Sequence, residues 1–341
     1  MSLVYLGIGA AERLPLPDPL TKAGIDLLVG RTRRRLADEQ DHSVAEFARD
    51  MALHPIAENT DAANRQHYEL PPEFFALILG PQRKYSSCYY DGTATTLAEA
   101  ETSALDRTIA NAGLADGQRI LELGCGWGSL SLAMAARFSN ATIIAVSNSA
   151  SQRGYITSAA ARRGLTNLEV VTADMNDFSP AGNFDRVVSV EMFEHMSNWT
   201  ALLARARAWL KPDGRLFVHI FTHRAVPYRF DHRNDADWIA KYFFTGGIMP
   251  SRDLIGHFEG SFAIEQQWQW SGTHYERTAL DWLANFDANV EAIDAILAGV
   301  YGADMALWRR RWRLFFLATA GLFGHASGSE WGVSHYRLRP S

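Results

Sequence analysis

Three titratable side chains stand close together in the segment EMFEHM: Glu191, Glu194 and His195. The preceding apolar run FDRVVSV predicts a strand, so these side chains belong at the end of a sheet. Such a composition is unusual for a core, where charged residues are rarely buried without partners. A carboxylate beside an imidazole can act as a general base and free the lone pair of an amine that is protonated at neutral pH. The alternative is that Glu194 and His195 cap the next helix or pair with neighbours.

A second chemical signal is the glycine-rich segment LELGCGWGS, residues 121–129. It follows a predicted strand and opens a predicted helix, the context in which a glycine turn binds a ligand. Gly124, Gly126 and Gly128 allow a tight turn and the close approach of bare backbone. The spacing differs from the dinucleotide pattern G-x-G-x-x-G, and the carboxylate of Glu122 would repel a pyrophosphate. It suits an ammonium group, such as the amino end of a methionine moiety.

Polar residues follow the ends of the next two predicted strands. Asn148 stands about 20 residues after the glycine turn, where a nucleoside site needs a group for the ribose hydroxyls. Gln152 adds a polar group one helical turn later. Asp174 ends the third strand, where it can accept the adenine amine, and Met175 can cover the ring. Singly these signals are weak, since Asp often only caps a helix, but their order predicts a nucleoside site.

Alternating strands and helices must position these groups. From Gln118 onward, short apolar strands alternate with helices, which predicts a buried, mainly parallel sheet with helices on both faces. A turn is predicted at 211–214. Residues 20–65 have helical periodicity, and a double proline begins a helix in the segment 67–80. After Phe221, two late strands enclose helices, which predicts a cap over the carboxyl ends of the strands.

These elements predict an α/β fold that is built from four consecutive segments of the chain. They are an N-terminal helical segment (1–80), a sheet-based core (81–274), a helical cap insertion (275–330) and a final core strand (331–341).

The bulk composition excludes several functions. The chain has 341 residues, a net charge of −5 and a pI of about 6.1, so no overall positive field recruits nucleic acid. Cys88 and Cys125 predict neither a disulfide framework nor a metal site. The arginine runs 33–35 and 309–311 indicate solvated helix faces, with anionic lipid contact as the alternative. With no leader pattern and no apolar run of about 20 residues, we expect a soluble, cytoplasmic protein. The sequence leaves the oligomeric state open, a homodimer included.

Six motifs occur in order along the chain: YSSCYY, LELGCGWGSLSL, FDRVVSVEMFEHM, KPDGRLFVHIF, YFFTGGIMPS and EWGVSHY. In this order they resemble the cyclopropane-fatty-acid synthase-like methyltransferases, and within that family the coclaurine N-methyltransferase branch. The resemblance runs from about Leu14 to the C-terminus. It implies a class I, Rossmann-like methyltransferase fold that binds S-adenosyl-L-methionine and releases S-adenosyl-L-homocysteine.

The resemblance also implies individual roles. Cofactor contacts fall on residues of the YSSCYY motif, the glycine turn and the strand ends: Tyr85, Ser86, Gly124, Asn148, Gln152, Asp174, Met175 and Val190. Gly126 joins them from the glycine turn. The catalytic acids and base of the N-methyltransferases fall on Glu191, Glu194 and His195. The family branch also accounts for Asn148, since it has Asn where other methyltransferases have an acid.

Differences from the cyclopropane synthase pattern help to decide whether the methyl acceptor is an amine or a lipid. For cyclopropane synthases, the resemblance implies a bicarbonate held by a Cys, a Glu, a His and a Tyr. Glu194, His219 and Tyr275 match, but Ser87 stands at the Cys position, and Thr319 replaces another Cys. Ser87, His219 and Tyr275 are therefore candidate substrate-binding residues.

The leading hypothesis is methyl transfer to an amine nitrogen of a small, benzylisoquinoline-like molecule. The aromatic residues of the C-terminal half suit a flat cationic amine, although they would equally form a core. The alternative is a cyclopropane-fatty-acyl-phospholipid synthase or lipid methyltransferase, with weak contact to a membrane surface. A cofactor-binding protein without transfer activity would leave the acidic cluster without a purpose. The glycine spacing argues against an NAD-dependent oxidoreductase.

Overall fold

The structure is a computed structural model that describes residues 9, 11–14, 16–38, 44–58, 70–231, 233–234, 237–258 and 260–341. The strands are β1 (Arg119–Leu123), β2 (Thr142–Ser147), β3 (Leu168–Thr172), β4 (Phe184–Val190), β5 (Leu210–His223), β6 (Tyr228–Arg229), β7 (Ile248–Met249), β8 (Phe262–Ser271) and β9 (Trp331–Pro340). The helices are α1 (Asp18–Asp38), α2 (Val44–Met51), α3 (Pro72–Ile78), α4 (Leu97–Ala112), α5 (Ser129–Arg137), α6 (Ala150–Arg162), α7 (Trp199–Trp209), α8 (Trp238–Tyr242), α9 (Gly272–Ala288), α10 (Val290–Tyr301) and α11 (Met305–Gly328).

The main sheet has seven strands in the order β3-β2-β1-β4-β5-β9-β8. Strands β1 to β5 are parallel, and β9 runs antiparallel to β5 and β8. The apolar residues of the central strand, such as Ile120 and Leu123, are fully buried because helices cover both faces. The predicted Rossmann-like α/β fold is confirmed.

The carboxyl ends of β1, β2 and β4 meet at one edge of this sheet. The chain passes from β1 to β2 on one side and later returns to β4 on the other, so the connections diverge above β1. Open α/β sheets bind ligands in the crevice formed at such a point. The glycine turn after β1, Asn148 after β2 and the acidic segment after β4 all lie there.

A helical cap lies between the last two strands, as predicted. Helices α9, α10 and α11 connect β8 to β9, and their large side chains pack together with Trp282, Phe286 and Trp312 fully buried. The N-terminal helix α1 packs on this cap through an ion pair between Asp18 and Arg313.

Two local predictions are wrong, and one helix was not predicted. Residues 52–58 are not helical, because α2 ends at Met51 and His54 precedes Pro55, which disfavours helical backbone. The turn predicted at 211–214 is not observed between α7 and the next strand. These residues belong to β5, where they form an irregular stretch at which the register between β5 and β4 shifts. Helix α4 is absent from the predicted elements. The predicted helical residues 39–43 and 59–65, and the start of the segment 67–80 up to Glu69, lie outside the described residues.

The arginine run 309–311 is engaged within the molecule. Arg309 pairs with Asp294, and both Arg310 and Arg311 bind Glu12. This leaves the run poorly placed to recruit lipid. Within the described ranges, no helix combines the length and the apolar character that crossing a membrane requires.

Candidate active site

The glycine turn after β1 forms the floor of the site. Gly124, Gly126 and Gly128 adopt left-handed φ angles of 76°, 51° and 78°. A Cβ at Gly124 would lie 2.5 Å from the side chain of Met192, whereas a Cβ at Gly126 would point into open space. The backbone N–H groups of Gly124 and Cys125 donate to the carbonyl of Val146, which closes the turn against β2. The turn therefore presents bare backbone to a cavity.

This cavity collects all the residues predicted to bind the cofactor. Its walls include Tyr85, Ser86, Gly124, Gly126, Asn148, Gln152, Asp174, Met175 and Val190. Glu191 and His195 also line it, whereas Glu194, Ser87, His219 and Tyr275 lie outside its lining. The strand-end positions were predictable because the carboxyl ends of parallel strands share an edge.

Glu122 lies buried beneath the cavity, in strand β1. Its carboxyl group accepts a hydrogen bond from the Ser131 hydroxyl at 2.5 Å and contributes to the cavity wall. Burial raises the pKa of Glu122 to about 8, and the single hydrogen bond from Ser131 only partly opposes this effect. A cation bound above it would favour the ionised form.

Gln152 presents an unused donor to the same cavity. Its amide oxygen accepts a hydrogen bond from the Ser147 hydroxyl at 2.6 Å, which fixes the orientation of the amide. The buried Nε2 has no hydrogen-bond partner within the described part of the chain. Buried amide donors are normally paired, so this one fits a ligand with an acceptor atom.

The carboxylate of Glu191 is held by groups from three other segments. It accepts hydrogen bonds from the Ser87 backbone N–H at 2.9 Å, His219 Nε2 at 3.2 Å and the Tyr275 hydroxyl at 2.7 Å. Burial and the neighbouring carboxylate raise the pKa of Tyr275, so its phenol remains a donor. The three candidate substrate-binding residues thus converge on Glu191.

The backbone of Glu191 is strained. Its φ angle is 46°, which a residue with a side chain rarely adopts. Its backbone N–H donates to the carbonyl of His219 at 2.8 Å, so β5 holds the turn in place. Strained backbone of this kind concentrates at functional sites, where the surrounding structure maintains it.

Lys84 is a buried cation that sequence reasoning missed. Its ammonium donates to the Ser86 hydroxyl at 2.5 Å and to the Ser87 carbonyl at 2.6 Å. Burial lowers the pKa of Lys84, whereas Glu191 and Glu101 are among the groups that oppose this effect. The lysine charge in turn lowers the pKa of Glu191 against the effect of burial. In the segment KYSSCYY, nothing distinguishes this lysine from an exposed loop residue.

Glu101 anchors the loop that carries Lys84. Its buried carboxylate accepts hydrogen bonds from the backbone N–H groups of Gln82 and Lys84 at 2.8 and 3.0 Å. A side chain at Gly80 would collide with this carboxylate, which explains the glycine at that position. Helix α4 therefore fixes the loop that forms one wall of the site.

Glu194 and His195 have different surroundings. Glu194 is fully buried, and neither of its carboxyl oxygens has a hydrogen-bond partner among the described residues. Burial, and then the charge of Glu191, raise the pKa of Glu194 well above its usual range. The ring of His195 lines the cavity and stacks on Phe244 with centroids 4.4 Å apart.

Comparison with known proteins identifies the family. The family model described as mycolic acid cyclopropane synthetase matches residues 57–327. The chain belongs to this family. (S)-Coclaurine N-methyltransferase of Thalictrum flavum subsp. glaucum is similar to this family member, with 33% identity over 329 residues that cover 94% of this chain and 91% of that protein.

Solved structures agree with the family assignment. A crystal structure of coclaurine N-methyltransferase bound to N-methylheliamine and S-adenosylhomocysteine matches with a TM-score of 0.93 and 32% identity, over 99% of this chain and 100% of that one. The cyclopropane synthase MmaA2 of Mycobacterium tuberculosis matches with a TM-score of 0.70 and 22% identity, over 84% and 99% of the two chains, and so shares the fold. The predicted enzyme class, an S-adenosylmethionine-dependent N-methyltransferase, is confirmed.

The cavity of this family member fits S-adenosylmethionine. The open space above Gly126 leaves room for a ligand against the backbone, and Gln152, whose buried Nε2 has no hydrogen-bond partner among the described residues, lines the same cavity. The carboxyl group of Glu122 can neutralise an ammonium group there. When bound, this cofactor supplies an electrophilic methyl group on a sulfonium.

Proposed function

We propose that this enzyme transfers a methyl group to the nitrogen of a small cationic amine of the tetrahydroisoquinoline type. The observation that carries the proposal is the Glu191 carboxylate, held by three donors at the wall of the cofactor cavity. A fixed negative charge at this point attracts an ammonium group and orients its nitrogen. The relatives with the same fold over nearly the whole chain include coclaurine N-methyltransferases.

In this proposal, Glu191 binds charge and does not accept the proton. Its oxygens already receive hydrogen bonds from Ser87, His219 and Tyr275, which stabilise the ionised form. The nearby ammonium of Lys84 adds to this stabilisation. These contacts act against burial, which raises the pKa of Glu191, and they make the carboxylate a good binding partner for a cation.

Glu194 and His195 are the proposed proton acceptors. An amine is largely protonated at neutral pH, so a base must remove one proton before the nitrogen lone pair can attack. Burial and the charge of Glu191 raise the pKa of Glu194, which makes its carboxylate a stronger base than an exposed one, and the imidazole of His195 lines the cavity. The stacked rings of His195 and Phe244 also provide a flat wall for an aromatic acceptor.

The surroundings of Glu191 disfavour the lipid alternative. By the resemblance, cyclopropanation requires a bicarbonate held by Glu194, His219, Tyr275 and the residue at position 87. Here the side-chain carboxylate of Glu191 already accepts hydrogen bonds from Ser87, His219 and Tyr275. The Ser87 hydroxyl donates to the Cys88 carbonyl and so turns away from such an anion.

A competition between acceptors tests the proposal. The purified enzyme is incubated with methyl-labelled S-adenosylmethionine, a panel of tetrahydroisoquinolines, an aliphatic secondary amine and vesicles of unsaturated phospholipid. We expect label on the aromatic amines and none in the lipid. Label in the lipid alone, or on no amine, would overturn the proposal.

Two secondary expectations accompany this function. A cytoplasmic location is supported by the free thiols of Cys88 and Cys125, which are buried and unpaired with each other. A homodimer, and weak membrane contact if lipid were the acceptor, stay predictions.

A further inference from the structure

Two buried histidines face each other behind the acidic site. His219 in β5 lies directly opposite His335 in β9, and both side chains are fully buried. Their ring centroids are 4.6 Å apart, and Trp270 packs against both rings. His219 contacts Glu191, whereas His335 lies on the neighbouring strand and has no role in the function proposed above.

The hydrogen bonds at the outer ends of the pair determine where each proton sits. Burial lowers the pKa of both His219 and His335, so each ring is neutral and carries one N–H. His219 Nε2 faces the carboxylate of Glu191 at 3.2 Å, so that nitrogen carries the proton. His335 Nδ1 lies 3.0 Å from the amide nitrogen of Asn111, a donor, so His335 carries its proton on Nε2.

The two remaining nitrogens complement each other. Within the described residues, neither His335 Nε2 nor His219 Nδ1 has a hydrogen-bond partner, although both are buried. The first is an N–H donor and the second is a lone-pair acceptor. Leaving either atom unsatisfied in the core would destabilise the folded protein. The two rings are neighbours, with centroids 4.6 Å apart, and a ring rotation that brought the two atoms within hydrogen-bond distance would satisfy both.

We propose that His335 is a positioning residue whose Nε2–H, held by Asn111, hydrogen-bonds His219 Nδ1 and keeps the N–H of His219 directed at Glu191. If His219 adopted the other tautomer, its lone pair would face the carboxylate. Glu191 would then lose one of its three donors and gain a repulsive contact. This inference rests on the proposed function only for its catalytic consequence, because the tautomers themselves exist in the enzyme without any substrate.

Nitrogen-15 NMR of histidine-labelled enzyme tests the tautomers directly. The imidazole shifts distinguish Nε2–H from Nδ1–H rings, and His219→Gln and His335→Gln spectra assign the two signals. We expect both rings as pure Nε2–H tautomers in the wild type. In His335→Phe, which keeps a ring of similar size without nitrogens, His219 should become a tautomer mixture. His257→Phe, at an exposed histidine, is the matched control and should leave the His219 signal unchanged.

Kinetics give the second readout. His335→Phe should lower kcat/KM for the amine roughly tenfold, the scale of one lost hydrogen bond, with unchanged affinity for S-adenosylhomocysteine. His335→Gln, whose amide retains a donor, should restore most of the loss. If His335→Phe fails to fold, Asn111→Leu provides a second variant at a partly exposed position. It removes the amide that hydrogen-bonds His335 Nδ1 and should produce the same tautomer mixture.

A pure Nε2–H signal for His219 in the folded His335→Phe or Asn111→Leu variant would overturn the inference. So would a wild-type spectrum with His219 in the Nδ1–H form. Both results are independent of methyl transfer, so they are distinguishable from a failure of the proposed function, which the acceptor assay reports.

Discussion

Two carboxyl groups three positions apart in the chain have opposite surroundings. Glu191 accepts hydrogen bonds from three groups, whereas Glu194 has none among the described residues. Burial raises the pKa of both, but Lys84 and the donors favour ionisation of Glu191, and the charge of Glu191 disfavours ionisation of Glu194. Of the two carboxyl groups, Glu191 is therefore the one whose surroundings favour the charge, and Glu194 is the one that more readily takes up a proton. Opposed environments of this kind assign acid and base roles to neighbouring carboxyl groups.

Glu191→Ala removes the fixed negative charge but leaves its three donors around a space of carboxylate size. We expect kcat/KM for the amine to fall about 10²-fold, the scale for a preorganised electrostatic group. Added formate should restore part of the activity by occupying that space. Glu191→Gln is the control, because its amide fills the space and formate should not help. Full activity of the Ala variant without formate would contradict the role given to Glu191.

Glu194→Ala tests the proton acceptor. Turnover should fall by roughly 10²–10⁴-fold, the range for a general base, while S-adenosylhomocysteine affinity changes little. Titration calorimetry and single-turnover rates separate the two quantities. Glu169→Gln, at an exposed glutamate in β3, should leave both unchanged. Lost cofactor binding with persistent turnover of bound substrate would make Glu194 a structural residue of the donor site.

Glu122 should make cofactor binding depend on pH. Its pKa of about 8 means that it holds a proton at neutral pH, which must leave when an ammonium group binds beside it. Affinity for S-adenosylhomocysteine should therefore weaken as pH falls below about 8, by at most about tenfold per pH unit, and should level off above it. Calorimetry between pH 6 and 8 measures this, and Glu122→Gln should flatten the dependence. An unchanged dependence in Glu122→Gln would assign it to another group.

At the scale of elements, apolar periodicity predicted the sheet but not every helix. Continuous apolar runs such as TIIAVS identify strands, and their order identified the edge where the site lies. Helix α4 has the signals of a helix, with a capping box between Thr96 and Glu99 and a left-handed Gly113 at its end. Its buried face, however, consists largely of small residues and Glu101, so the apolar pattern is weak.

Gly126→Val tests the turn that forms the floor of the cavity. The new side chain would project into the open space and would also strain a backbone with a φ of 51°. We expect binding of S-adenosylhomocysteine to be lost in calorimetry. Gly164→Val is a matched control, since Gly164 also has a positive φ and open space but lies at the end of α6, away from the cavity. Equal loss of binding in both variants would indicate general unfolding.

At the scale of the whole molecule, the sequence predicted groups that depend on strand order and missed those that depend on tertiary contacts. The cofactor residues follow strand ends, so their convergence follows from the fold. Burial lowers the pKa of Lys84, and Glu191 and Glu101, which come from distant segments, are among the groups that oppose this effect. His335 and Asn111 are 224 positions apart in the chain. Nothing in the strand motif VSHY or in the sequence of α4 predicts that these two side chains meet.

The stability of the whole molecule should depend on the aromatic contacts of the cap. Trp312 in α11 is 1% exposed, and its ring centroid lies 4.8 Å from Phe74 in α3 and 5.1 Å from Phe243. Trp312→Ala should lower the free energy of unfolding by roughly 3–5 kcal/mol, because the cap closes only partly over such a cavity. Thermal and urea unfolding measure this change. Trp308→Ala, at a half-buried tryptophan of the same helix, should cost clearly less. Equal losses for both variants would contradict the larger stabilising role given to the buried Trp312.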